Sequence, residues 1–239
     1  MWCWLGLGLL IVSTAGCSGS GASAGPTTSV PPPEATRSPT EVIVSSAPEP
    51  TGVPGLSSTD PFCAAWATYA GTVQALGVAA SFGDLSSESF AALELTAATD
   101  LVAAVRTIDA TWPQQPTALT MERESVTDKR IGPYGRRAGK AVDALVAAGA
   151  TEFDLSTLRA AWQIALARRN PQLPVIAVPE ISVELQSTLD DAGRAFNSEV
   201  TAFASDPSLT TERVATPETD AYLGAHCPDL ASSGVGDSL

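Results

Sequence analysis

From Asp60 to Pro228 the apolar residues of this chain recur at intervals of three and four, and nowhere do they alternate at period two for more than a few positions. A 3.6-residue period gathers such residues on one face of a helix, whereas a half-buried strand needs a period of two. That feature confines the folded part to helices packed on helices. Asp60-Pro61 supplies an N-cap and a first-turn proline. Phe62, Trp66, Tyr69, Val73, Leu76 and Ala80 then form the stripe of a first helix ending near Gly83. A second follows Ser86-Ser87, with Phe90, Leu93, Ala97, Leu101, Ala104, Val105 and Ile108 inward, and stops at Trp112-Pro113. Residues 114–134 are polar and broken by Pro116 and Gly132-Pro133, with room for a short helix over Leu119 to Val126.

A third periodic stretch runs from Arg136 to Ala148, with Ala138, Val142, Leu145 and Val146 inward and Gly149 as its stop. Asp154 caps the next helix, which carries Leu155, Leu158, Trp162, Ala165 and Leu166 up to Asn170-Pro171. Pro174 to Pro179 reads as an extended crossing, and the longest candidate helix follows it with Ile181, Leu185, Leu189, Ala192, Phe196, Val200 and Phe203. Thr216-Pro217 opens the last helix, through Tyr222 and Leu223 to Cys227-Pro228. The expected fold is all-α: an Ala-rich bundle of five or six helices over residues 57–230, followed by a frayed polar tail, 231–239.

The N-terminal part has a different character. Residues 1–16 carry no charge and are almost wholly apolar or small, shorter than the roughly 20 residues of a spanning helix and suited to a secretory h-region. Residues 18–56 are rich in Ser, Gly and Pro, and hold eight of the chain's 18 prolines. Such a segment buries too little apolar surface to offset its ordering entropy, and is expected to be a disordered stalk. As a flexible coil it spans roughly 35 Å, and in a polyproline conformation on the order of 120 Å.

Between the two, Thr14-Ala15-Gly16-Cys17 resembles the lipobox of bacterial lipoproteins. In that family the Cys thiol receives a diacylglycerol, the preceding peptide is removed, and the new amine can be acylated as well. The resemblance therefore implies lipidation at Cys17, a signal peptide over 1–16, a stalk over 17–56 and attachment to the extracytoplasmic side of the cell membrane. Two or three acyl chains anchor stably where one is marginal. Met1-Trp2-Cys3-Trp4 departs from the family pattern in lacking a basic n-region, which is consistent with a translation start further upstream.

Four cysteines are present, Cys3, Cys17, Cys63 and Cys227. With Cys3 cleaved away and Cys17 lipidated, an exported chain is left with one cysteine at each end of its folded region, and a Cys63–Cys227 disulfide is the economical expectation. The rival reading, a metal pair, lacks ligands: the single histidine, His226, sits beside Cys227 with no metal-binding spacing. The whole layout is similar to that of secreted actinobacterial lipoproteins with uncharacterised helical domains. The matching residues are Phe62-Cys63-Ala64-Ala65-Trp66 early and Tyr222-Leu223-Gly224-Ala225-His226-Cys227 late. That resemblance implies nothing about catalysis.

Lys and Arg number 13 against 26 Asp and Glu, a net charge of −13. This excludes a nucleic-acid footprint and disfavours direct binding to anionic membrane surfaces. A Ser/His/Asp triad would have to use His226, next to a disulfide cysteine and without a nucleophile elbow anywhere. Glu122/Glu124 and Asp190/Asp191 read as solvated surface acids rather than a catalytic pair. One local excess of positive charge stands out: Lys129, Arg130, Arg136, Arg137 and Lys140 surround Ile131-Gly132-Pro133-Tyr134-Gly135. A basic loop leading into a helix N-terminus can hold an anion; the plainer expectation is that these bases balance the acidic late helices across the bundle. No cofactor and no metal are expected. The leading expectation is a non-enzymatic, lipid-anchored envelope protein whose helical domain binds a partner protein or envelope component. A carrier of an apolar small molecule or lipid comes second, and a carboxylate-based hydrolase third.

Overall fold

The computed structural model describes residues 52–85, 87–169, 176, 179–204 and 214–231. Five long helices make the body: α1 (Pro61–Phe82), α2 (Glu88–Ala110), α4 (Gly132–Ala147), α5 (Glu152–Ala167) and α6 (Val183–Ala204). Three short ones complete it, α3 (Thr117–Ser125), α7 (Pro217–His226) and α8 (Pro228–Ala231). The all-α bundle is the fold that the periodicity predicts, with the short helices added to the long ones. Most of Pro174 to Pro179 lies outside the described residues, as do Cys3 and Cys17; of the crossing, Ile176, which is buried, and Pro179 are described.

Local chemistry sets the helix ends. The Asp60 carboxylate accepts from the Phe62 and Cys63 N–H groups at 2.8 and 3.3 Å, and Ser87 Oγ accepts from Phe90 N–H at 3.2 Å. Every helix N-terminus leaves four such donors without an internal partner, and these caps satisfy two of them on α1 and one on α2. Gly149 stops α4 with φ of +104°, a backbone conformation that suits glycine. α5 begins three residues earlier than Asp154 suggests. Thr151 is its N-cap, and the Asp154 carboxylate reaches back to the Thr151 N–H at 2.8 Å, closing a capping box. The polar 114–134 stretch becomes α3 and a single π-helical turn, Val126–Arg130, where Ile131 N–H reaches the Val126 carbonyl at 2.9 Å before α4 resumes.

α2 is the axis of the molecule, packed by α1, α4, α5 and α6. A helix with neighbours on four sides cannot keep a single apolar stripe. Ala91, Leu95, Ala98, Leu101 and Ile108 enter the main core, while Ala97 on another face joins Trp162, Leu166, Ala75 and Val53 in a second cluster. Phe90 and Leu93, expected inward, are only half-buried at the edges of these clusters. The small Ala side chains let the neighbours approach, and Trp66 and Trp162 fill the larger gaps at 0% exposure. Trp162 Nε1–H donates to Thr72 Oγ1 at 2.9 Å, so its one polar atom is satisfied inside.

The folded body also takes in Gly52 to Leu56, which composition assigns to the stalk. Gly52 and Val53 N–H groups donate to the Arg169 and Leu166 carbonyls at 3.2 and 3.0 Å, at the C-terminal end of α5. Val53 is 4% exposed beside Trp162. Gly52 is required at its place: its φ is +68°, and a Cβ there would meet the Ala167 carbonyl oxygen at 2.5 Å.

Cys63, in the first turn of α1, and Cys227, just past α7, form a disulfide with Cα atoms 5.5 Å apart and a sequence separation of 164. Phe62 packs beside it, edge-on to Trp112 and Tyr222 with ring centroids 5.5 and 5.8 Å away. Closing so long a loop restricts the unfolded chain by roughly 5 kcal/mol in the chain-entropy model. The Cys63→Ala/Cys227→Ala double variant is therefore expected to unfold at lower urea, with a stability loss of about 3–5 kcal/mol.

Candidate functional site

The five bases of the expected anion site do not converge. Arg130 leaves the π turn with its side chain 9% exposed, bonds Thr216 Oγ1, pairs with Asp220 at 2.7 Å and lies over the Trp66 ring 5.5 Å from its centroid. Arg137 pairs with Glu94 of α2, and Lys140 with Glu199 of α6 at 3.1 Å. Arg130 and Lys140 thus balance acids on the late helices α7 and α6, as the plainer expectation has it, whereas Arg137 finds its acid on α2. Lys129 is exposed. Arg136, whose guanidinium reaches the Asp128 carbonyl at 3.5 Å, instead meets Arg106 of α2 at an open hollow of about 270 Å³ floored by Gly132 and Gly135. Sequence reading missed Arg106, which stands 30 positions from Arg136 in the chain and reaches this hollow only through the α2–α4 packing.

The acids are similarly dispersed. Glu122 turns to α7, where its carboxylate accepts from the Glu218 and Thr219 N–H groups at 3.1 and 2.8 Å and from the Thr219 hydroxyl at 2.8 Å. It caps a helix whose own Thr216 makes no side-chain cap. Glu124 stays exposed. Asp190 accepts from Gln186 at 2.8 Å while Asp191 pairs with Arg194, each one held by its own helix. His226 is exposed, stacked on Tyr222 with centroids 4.0 Å apart, and its Nδ1 lies 3.1 Å from the Tyr222 carbonyl oxygen. No group of three or more His, Cys, Asp or Glu side chains suited to a metal occurs among the described residues.

The feature with the shape of a ligand site is a cavity of about 220 Å³ between α1, α2, α4 and α6. α1 contributes Val73, Leu76, Gly77 and Ala80; α2 contributes Phe90, Glu94, Ala98 and Leu101. Tyr134, Arg137 and Ala138 come from α4, and Val200 from α6. The space exists because small side chains face one another across the helices: Gly77, Ala80, Ala98 and Ala138 lie where larger residues would have met. A Cβ on Gly77 would touch nothing within 4 Å. The lining is apolar except for Tyr134 and the Arg137–Glu94 pair. That pair is held by two hydrogen bonds, the second from Arg137 Nη2 to Glu94 Oε2 at 3.0 Å, with side chains only 11% and 9% exposed. Arg137 Nη1 also donates to the Glu199 carbonyl at 3.3 Å, and its guanidinium lies 5.4 Å from the Phe196 ring centroid. Burial raises the Tyr134 phenol above its ordinary value, so it keeps its proton at neutral pH.

No family model, no curated protein and no solved structure matches this chain. Its chemistry has to be read from its own residues. No described helix is long and apolar enough to cross a membrane.

One buried carboxylate stands apart from both hollows. Asp100 of α2 is 2% exposed and accepts from Gln163 Nε2 at 3.0 Å, while its other oxygen has no hydrogen-bond partner. Desolvation pushes its pKa up from 3.8 to about 6, with the Gln163 hydrogen bond and the Arg159 charge opposing. Below pH 3.8 the carboxyl is protonated in both folded and unfolded chains. Above about 6 the native state must hold a dehydrated charge, so stability falls as pH rises from about 4 to 6. The loss is on the order of 2–3 kcal/mol. Chemical denaturation at pH 4 and pH 7 is expected to show that fall in the wild type, and Asp100→Asn is expected to flatten it.

Proposed function

We propose that this chain is a lipid-anchored lipoprotein of the cell envelope whose helical domain binds a small apolar molecule between α1, α2, α4 and α6. The carrying observation is the apolar cavity of about 220 Å³, walled by four helices of the bundle. The cavity is partly open to solvent, and its apolar lining there lacks the close dispersion contacts of a packed interior. A bound ligand restores them. Sites of this kind are largely preformed and mostly apolar, with a few polar groups that set orientation. At about 220 Å³ the space is smaller than a drug-sized site and suits one short chain or ring, or the end of a longer molecule reaching in from solvent.

The anchor rests on the Thr14-Ala15-Gly16-Cys17 lipobox, and export is supported by the Cys63–Cys227 disulfide, which needs an oxidising compartment. The reading assigns no catalytic residue and no cofactor. Binding of a partner protein or envelope component is the second reading. It is favoured by Phe82, Met121, Phe153 and Val183, large apolar side chains 77–82% exposed. They stand on four different helices, so no single helix face gathers them.

Two measurements test the proposal. Native mass spectrometry of the membrane-extracted protein is expected to show a bound mass that denaturation removes, and Ala98→Leu, which fills the cavity from α2, is expected to lower its occupancy at least tenfold. A wild-type chain that carries no such mass and takes up no apolar fluorescent probe overturns the cavity assignment. Separately, Cys17→Ala is expected to release the protein into the medium; undiminished retention at the membrane overturns the anchor.

A further inference from the structure

The cavity is apolar on most of its wall, yet its polar part is a complete ion pair. Arg137 brings positive charge from α4, Glu94 brings negative charge from α2, and both side chains are about nine-tenths buried. Replacing such a pair by packed apolar residues is often neutral or stabilising, so fold stability alone gives little reason for it to stand in the wall of an apolar space. Its chemistry as a ligand contact is definite. Two opposite charges within hydrogen-bond distance present donors and acceptors side by side while cancelling each other's net field. A third charge brought against the same apolar wall would lose hydration and be left without a counter-charge, unless it displaced one member of the pair. A neutral group that both donates and accepts meets no such penalty: its O–H can bond the Glu94 carboxylate, which has room for further acceptor contacts, and its oxygen can accept from the polar groups of α4. Tyr134 lines the same space from one turn before Arg137 and adds a phenol to that wall.

We propose that the ligand is a short amphiphile with an uncharged head, a hydroxyl or an amide, set against the Arg137–Glu94 pair, with its hydrocarbon body lying among Val73, Leu76, Leu101 and Val200. The inference rests on the cavity reading above and narrows its ligand class. The cavity is about 220 Å³, the volume of roughly seven waters at their liquid density. 1-Hexanol, with seven heavy atoms, is therefore a suitable probe, and heptane is its apolar counterpart of equal atom count.

The experiment uses the full chain carrying Cys17→Ser, so that no detergent competes, and ligand-observed NMR titrations with 1-hexanol, hexanoate, hexylammonium and heptane. Hexanol is expected to bind at least tenfold more tightly than hexanoate and hexylammonium. The Glu94→Leu/Arg137→Leu double variant keeps the core apolar and leaves no charge unpaired. In it, hexanol affinity is expected to fall about tenfold while heptane affinity rises. A pair with only a structural role would move both ligands in the same direction, and that result overturns the inference. Heptane binding with hexanol no better than the charged homologues also overturns it, while leaving the cavity reading intact. If neither heptane nor hexanol binds the wild-type chain, both readings fall.

Discussion

α2 is packed on four sides, and most of the structure follows from satisfying that position. A helix in such a place must be small or apolar almost all the way round, and any polar group it carries must be matched from a neighbour. α2 meets the first demand with alanines and the second unevenly. Glu94 finds Arg137, Asp100 finds Gln163 for one oxygen only, and Thr99 Oγ1 finds no hydrogen-bond partner. The cavity and the pH-sensitive carboxylate both lie on this helix. They are the places where four-sided packing was met with small residues or with charge.

The Cys63–Cys227 bond plays a complementary part. Cys63 lies in the first turn of α1 and Cys227 just past α7, so the staple fixes α1 and the end of α7 together beside the Phe62, Trp112 and Tyr222 rings. α7 is short and does not cap itself. It is held by the disulfide at its end, by the Glu122 carboxylate at its start, and by Arg130 through Asp220 and Thr216. Two of these three restraints come from the segment between α2 and α4, the stretch that periodicity leaves ambiguous.

How much of this is legible beforehand depends on whether the signal is local. Asp60-Pro61, Ser87 and Gly149 mark helix ends through their own backbone chemistry, and they stand where the sequence places them. The α6 stripe, Leu185 through Val200, is buried as its spacing predicts. Thr151 was hidden because Asp154, a good cap in its own right, sits three residues on and plays the reciprocal part. Phe90 and Leu93 were misjudged because a one-face rule fails on a helix with four neighbours. The site is less legible still. Glu94 and Arg137 are 43 residues apart, and neither has a pattern around it that names the other. The cavity is a coincidence of Gly77, Ala80, Ala98 and Ala138 across three helices, a fact about packing that no single helix contains. Cys17 and the lipobox lie at the other extreme: they are read from sequence alone and fall outside the described residues.

The attachment of Gly52 and Val53 to the end of α5 has a mechanical consequence. A pull on the chain from its N-terminal side reaches the folded body before Pro61, where α1 begins. It meets two backbone hydrogen bonds to the Leu166 and Arg169 carbonyls, and then the Val53 side chain seated beside Trp162. The load thus falls first on α5 and on the second apolar cluster, which includes Ala75 of α1 and Ala97 of α2. Tension would peel out Val53 before it reached Cys63, so this latch takes force ahead of the disulfide.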